Sequence, residues 1–272
     1  MKKFITVLVL LSVGVILAAC GNASGEDVIK VGATSTPHAE VLEEAKPLLE
    51  EEGITLEIET YQDYILPNQD LESGEIDANY FQHIPYFETE QEEKGYDFVN
   101  LGGIHVEPMG VYSKGIPSID AIEEGTEVIM SRAVADHGRI LSLFEAKGLI
   151  KLAEGVKKSE ATIDDIVENP LDLEFKPDVN AEFLIETYRN EEDVLVAINT
   201  NYAIEADLSP VDDSLFVEGA ASEYVNIIAA RAEDKDDEKL NKLVEVLQSE
   251  EIQSFITEKY NGEVVAVGNS EE

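Results

Sequence analysis

Residues 28–61 carry the pattern that most restricts what this chain can fold into. Val28 to Ala33, VIKVGA, is a short β-rich run. From Pro37 onward Val41, Leu42, Ala45, Leu48 and Leu49 fall at i, i+1, i+4, i+7 and i+8, the apolar stripe of an amphipathic helix that Gly53 stops. ITLEIETY then alternates as a second strand. Strand, helix and strand within about 30 residues make a βαβ unit, which implies a parallel sheet.

The same alternation continues along the chain. A helix over Pro67 to Glu72 leads through Gly74 into the strand-like IDANYF, and a further helix is predicted around Ile84–Lys94. FVNLGGIHVEPMGVYS reads as two extended segments broken at Gly102-Gly103. A second α/β region starts near Lys114. SIDAIEEG reads as a short helix, TEVIM as a strand, DHGRILSLFEAKG as a helix closed by Gly148, and IDDIVENP as a short helix with a proline stop. LDLEFKP is a strand, NAEFLIETYRN a helix, VLVAINTNYA a buried strand and EYVNIIAAR one strand more. A long C-terminal helical pattern has Leu240, Leu243, Val244, Leu247, Ile252, Phe255, Ile256 and Tyr260 on its inner face. No self-repeat is present, which excludes solenoids. The expected class is α/β with two doubly wound lobes. Ligands in such folds sit at the C-terminal ends of strands, beside helix N-termini. That rule selects the Thr34–His38 turn, Asn79–Tyr86, the Ser131–Arg139 turn, Asn199–Tyr202 and Asn226.

The first 27 residues read differently. Lys2 and Lys3 precede an apolar stretch from Phe4 to Leu17, interrupted only by Thr6, Ser12 and Gly14, and Leu17-Ala18-Ala19-Cys20 follows. A basic start, a short apolar run and small residues before a cleavage point describe a secretory signal. The run is short for a membrane span of about 20 residues. Leu-Ala-Ala-Cys resembles the bacterial lipobox, so Cys20, the one cysteine in the chain, is expected to be acylated and to become the mature N-terminus. Residues 1–19 are then a lipoprotein signal and 20–27 a small, polar tether. The expected location is the extracytoplasmic face of the cell membrane, held by the lipid. Loss of two lysines with the signal takes the net charge from −39 to −41. Such acidity excludes nucleic acid and argues against peripheral binding to an anionic bilayer. Runs such as Glu50-Glu51-Glu52 and Asp236-Asp237-Glu238 read as solvated surface.

DANYFQHIPYFETE, residues 77–90, gathers four of the nineteen aromatic rings in the chain. Alternation in NYFQH sends Tyr80 and Gln82 one way and Phe81 and His83 the other, so rings and an imidazole share a face. Core packing explains such a cluster as well as an apolar pocket does, and Tyr64 offers a further wall. Arg139 falls in the first turn of a helix, where the macrodipole disfavours a cation. It calls either for an anionic ligand or for an internal partner such as Asp136. Asn199 and Asn201 end an apolar strand, as ligand contacts or as turn residues. Asn226 stands within an apolar run and needs a hydrogen-bond partner.

VGATSTPHAEVLEEAK, DYILPNQDLESGEIDANYFQHIPY, HVEPMGVYS, INTNYAIEA and SEYVNIIAAR together resemble the NlpA/MetQ family of methionine-binding lipoproteins, over essentially the whole mature chain. The resemblance implies a periplasmic-binding-protein-like fold of type II, two lobes joined by crossover strands. It further implies closure on one amino acid and delivery to an ABC transporter permease and ATPase complex. Lobe I is expected over residues 28–109 plus 226–272 and lobe II over 110–225. The family's methionine contacts map onto Tyr64, Phe81, His83, Tyr86, Arg139, Asn199 and Asn226. The rings would hold the thioether, Arg139 the carboxylate, and the asparagines would orient the amino and carboxylate groups. No catalytic residue, cofactor or metal is expected. The family usually has a Pro-Asn-Asp-x-x-Asn stretch before Gly-Arg, and here SRAVADHGR stands instead. That loop borders the ligand's polar end, so the departure bears on ligand identity (L- or D-methionine, a dipeptide or another amino acid) and not on the fold.

Three rivals set the tests. Metal uptake could use His38, His83, His105 and His137, although no two of them lie within five positions. A hydrolase would want a Gly-x-Ser-x-Gly elbow, a His-Glu-x-x-His pair or a spare thiol, and the chain has none of these. An adhesion lipoprotein would show no ligand-dependent compaction. Removal of Arg139 is expected to cost ligand affinity and to leave the apo protein's stability nearly unchanged.

Overall fold

In the computed structural model Val28–Thr34 lies between two parallel partners, Thr55–Tyr61 and Ala78–His83. The structure describes residues 27–219 and 223–267, so the signal segment and Cys20 fall outside the described residues. Ile29, Val31 and Ala33 are fully buried, and the Glu40–Glu51 helix lays Val41, Leu42, Ala45 and Leu49 on them. Each of the valine, leucine and isoleucine side chains contributes about 1.5–3 kcal/mol on burial, which explains how periodicity alone locates this unit.

Two mixed sheets organise the molecule. The first runs, edge to edge, Val265–Ala266, Phe98–Val106, Val225–Arg231, Ala78–His83, Val28–Thr34 and Thr55–Tyr61. The second runs Phe216–Val217, Gly110–Tyr112, Leu195–Ile198, Glu127–Ser131 and Glu174–Val179. Pairing is parallel within the βαβ parts and antiparallel where Val225–Arg231 and Gly110–Tyr112 enter. The chain crosses between the sheets twice, from Val106 to Gly110 and from Val217 to Val225. Each sheet is covered on both faces. Helices Glu40–Glu51, Glu238–Leu247 and Glu250–Tyr260 pack on one face of the first, and Leu66–Ser73 and Ile84–Lys94 on the other. Val134–Ala146 covers one face of the second, and Leu184–Asn190 with Thr200–Glu205 the other. No helix among the described residues is long and apolar enough to cross a membrane.

Several elements depart from the periodicity reading. Phe98–Val106 is one strand that runs through Gly102-Gly103, not two segments broken there. IDDIVENP yields a single turn, Ile163–Asp165, held by a capping box between Thr162 and Asp165, after which Ile166–Glu168 pairs with Lys151–Leu152. VLVAINTNYA is strand only to Ile198. Asn199 then takes an N-cap conformation and starts the Thr200–Glu205 helix. The C-terminal pattern is two helices, since the Ser249 hydroxyl caps Ile252 N–H and starts a second segment.

Candidate functional site

The C-terminal end of Ala78–His83 builds one wall of a cavity between the two sheets. His83 is the N-cap of the Ile84–Lys94 helix, its Nδ1 accepting from Tyr86 N–H at 3.1 Å. Strand alternation and this cap together fix Phe81, His83 and Tyr86 relative to one another. Tyr64 arrives from the loop before Leu66–Ser73, where the Asp63 carboxylate accepts from Ile65 N–H (2.7 Å) and Leu66 N–H (2.9 Å). The rings of Tyr64, Phe81 and Tyr86 form a triangle with centroids 6.0, 6.0 and 6.1 Å apart. The Tyr86 hydroxyl donates to the Tyr64 carbonyl (3.0 Å) and holds the triangle shut on one side. From the second sheet's side Tyr202 packs on Tyr64 at 5.2 Å, and the Tyr64 hydroxyl donates to Asn201 Oδ1 at 2.6 Å.

The opposite end is polar and charged. Arg139, in the Val134–Ala146 helix, is buried; its Nε donates to Glu218 at 2.9 Å, its Nη2 to the same carboxylate and to the Glu107 carbonyl. Its guanidinium also lies 4.5 Å from the Tyr224 ring centroid. Of the two readings left open by the sequence, an internal partner does exist, and it is Glu218 in the crossover, not Asp136. The Asp136 carboxylate instead accepts from His83 Nε2 and Asn199 Nδ2, both at 3.3 Å. Burial opposes its charge, but the His83 contact, Arg139 and Asn199 outweigh that and hold the carboxyl below its ordinary range. The His83–Asp136 contact and the Tyr64–Asn201 bond both span the gap between the sheets. The Arg139–Glu218 pair gives Arg139 an internal role as well, so its removal is expected to lower apo stability rather than to spare it.

All seven residues singled out from the sequence line this one cavity, which is tight, with about 30 Å³ of free space. Tyr64, Phe81 and Tyr86 form its apolar end; His83, Arg139, Asn199 and Asn226 reach its polar end. Asn226 and Asn199 are both buried, and among the described residues Asn199 Oδ1 has no hydrogen-bond partner. Sequence reasoning missed Gln82, Glu107 and Thr200 as cavity residues and did not give Asp136 that place. Glu107 had a signal: an ionisable residue following the apolar end of a strand, in HVEPMG, needs partners. They are His38 Nε2 (3.1 Å) and His105 Nε2 (2.8 Å), which bring two of the four histidines together across 67 residues.

His38, His105 and Glu107 are the one cluster among the described residues with ligand atoms close enough for a metal, all within 4.8 Å. Their chemistry fits a closed hydrogen-bond set better. Both imidazoles already donate to the carboxylate, the Nδ1 atoms meet the Thr34 and Tyr80 hydroxyls, and all three residues are buried. His83 and His137 stand elsewhere, on Asp136 and on the Ser131 carbonyl (3.0 Å).

Comparison with known proteins gives one consistent result. The sequence pattern of the NlpA lipoprotein family matches residues 29–268. The chain is 45% identical over 272 residues to the methionine-binding lipoprotein MetQ of Bacillus subtilis strain 168, covering 98% of each. Among solved structures, a pheromone cOB1 precursor/lipoprotein of the YaeC family from Enterococcus faecalis V583 superposes with a TM-score of 0.86 at 49% identity, covering 88% of this chain and 100% of that one. A nutrient-binding protein from Burkholderia cenocepacia, bound to methionine, superposes with a TM-score of 0.82 at 36% identity, covering 88% and 99%.

Proposed function

The chain belongs to the NlpA lipoprotein family, and from that premise we propose that it is the extracytoplasmic receptor of an ABC importer, binding one methionine between its lobes. The observation that carries the reading is an inter-sheet cavity with an aromatic triangle at one end and an arginine with asparagines at the other. A thioether capping that triangle, about 5 Å from each ring, gains about 0.3–1.5 kcal/mol per good contact beyond burial. At the far end Arg139 takes the α-carboxylate. Its Glu218 partner orients the guanidinium and lowers the entropy cost of using it.

Lobe I comprises residues 28–109 plus 226–272 and lobe II 110–225, closing about the two crossovers. Ligand that touches both lobes binds the closed form better and so populates it, and the closed form docks on the permease and its ATPase. Cys20 carries the lipid that holds the receptor at the membrane. The protein performs no chemistry on its cargo. The alternative of zinc or manganese capture is disfavoured by the self-satisfied His38–Glu107–His105 set.

Thermal melts separate the readings. L- or D-methionine at a hundred times its Kd is expected to add about 2.7 kcal/mol of stability, while zinc and manganese add none. A rise with either metal and none with methionine would reverse the assignment.

A further inference from the structure

Asn226 and Asn199, two of the three asparagines that line the cavity, are held by groups of opposite character. Glu107 Oε1 lies 3.1 Å from His38 Nε2 and 2.8 Å from His105 Nε2. A carboxylate only accepts, so both Nε2 atoms carry hydrogen. In a neutral ring the other nitrogen is then an acceptor, and each Nδ1 meets a hydroxyl, Thr34 Oγ1 at 2.7 Å for His38 and the Tyr80 hydroxyl for His105. The His38 Nε2–H also reaches Asn226 Oδ1, 3.2 Å away. Asn226 therefore spends its oxygen on the protein and has its NH2 left for the cavity it lines.

Asn199 is set the other way. Its Nδ2 donates to Asp136 Oδ2 at 3.3 Å, while Asp136 Oδ1 accepts from His83 Nε2 at the same distance. Its Oδ1, in a residue 7% exposed on the cavity wall, is without a partner among the described residues. A donor amide in one lobe thus faces an acceptor amide in the other.

We infer that the histidine–carboxylate pairs His38–Glu107 and His83–Asp136 are positioning groups that lock Asn226 as a donor and Asn199 as an acceptor, so that the cavity selects a zwitterion. Asn226 then reads the carboxylate beside Arg139, and Asn199 reads the ammonium. An amide free to rotate would accept either end and discriminate neither. The inference rests on the methionine reading above and adds the residues that impose selectivity on it.

The test is displacement calorimetry on ligand-free protein with three probes. They are L-methionine, its des-amino analogue methylthiobutanoate and its decarboxy analogue methylthiopropylamine. Asn226→Leu is expected to weaken L-methionine and methylthiobutanoate about tenfold and to leave methylthiopropylamine unchanged. Asn199→Leu is expected to weaken L-methionine and methylthiopropylamine about tenfold and to spare methylthiobutanoate. His38→Phe, a neutral replacement that keeps a ring but no donor, should copy the Asn226→Leu pattern, and His38→Gln, which restores an N–H, should recover it. Should His38→Phe fail to fold, Glu107→Gln carries the same expectation, because an amide no longer obliges His38 Nε2 to carry hydrogen. Equal weakening of all three probes in the His38 or Glu107 variants, or no change, overturns the inference while the methionine reading stands. Wild-type protein that binds none of the three overturns the reading itself.

Discussion

Arg139 owes its readiness to Glu218. Arg139 lies in the second turn of Val134–Ala146, not the first turn expected from the sequence, and it is buried, donates twice to one carboxylate and stacks on Tyr224. Arg139→Ala is expected to weaken methionine binding about a hundredfold and also to lower the apo melting temperature, since a largely buried guanidinium and its ion pair are lost with it. Calorimetry and an apo melt check both halves, and an unshifted apo melt would assign the pair no structural weight. Phe81→Ala removes one corner of the ring triangle and should cost methionine about tenfold, with a smaller loss for Phe81→Leu. Titration follows from the buried acids and His105. Burial keeps His105 below the ordinary imidazole value despite Glu107, while the histidine contacts outweigh burial and keep Glu107 and Asp136 below the usual carboxylate range. In each case the unfolded chain binds the proton more readily, so stability is full above the unfolded values and is lost as pH falls. The melting temperature should start to fall below about pH 6.5 and more steeply below about pH 4.5. Asp136→Asn should flatten the lower part of that limb in a calorimetric series, and an identical limb would remove Asp136 from the account.

Among the elements, the Val134–Ala146 helix depends on how closely its first turns approach the segment containing Lys158 and Ser159. A Cβ on Gly138 would stand 2.4 Å from the Lys158 carbonyl oxygen and 2.6 Å from the Ser159 carbonyl carbon, backbone atoms that have little room to give. Gly138→Ala should therefore destabilise by about 1–3 kcal/mol and displace Arg139, the next residue, so affinity falls with the melting temperature. Unchanged melting and binding would mean that the helix shifts freely. The elements themselves were largely legible, because βαβ periodicity records burial directly: Val41, Leu42, Ala45 and Leu49 could be read as one face before any fold was known. What the periodicity could not give was termination by side chains. The break at Gln248-Ser249 depends on the Ser249 hydroxyl, one local hydrogen-bonding choice inside an otherwise continuous apolar pattern, whereas the end of Leu195–Ile198 is a backbone turn at Asn199 whose side chain goes to Asp136 instead. The ring wall was legible for the same reason as the strands, since alternation placed Phe81 and His83 on one face. The Glu107 and Glu218 partnerships were not, because they join residues 69 and 79 positions apart in the chain.

At the scale of the whole molecule, a formal charge of −39 makes self-repulsion a general term opposing compactness. Raising ionic strength from 0.01 to 0.15 M shortens the screening length from about 30 to about 8 Å, and the melting temperature should rise with it. A fall would show that attractive surface pairs dominate. On the proposed reading, two lobes, two crossovers and several cleft-spanning hydrogen bonds make closure the motion to measure. Small-angle scattering should register compaction when methionine is added to ligand-free protein, and none in the presence of zinc. The most direct test of the central claim is titration calorimetry of ligand-stripped protein with L- and D-methionine, alongside Phe81→Ala. The account predicts one site per chain for at least one enantiomer, weakened about tenfold in the variant. Absence of binding for both enantiomers, or binding indifferent to the loss of the Phe81 ring, would contradict it.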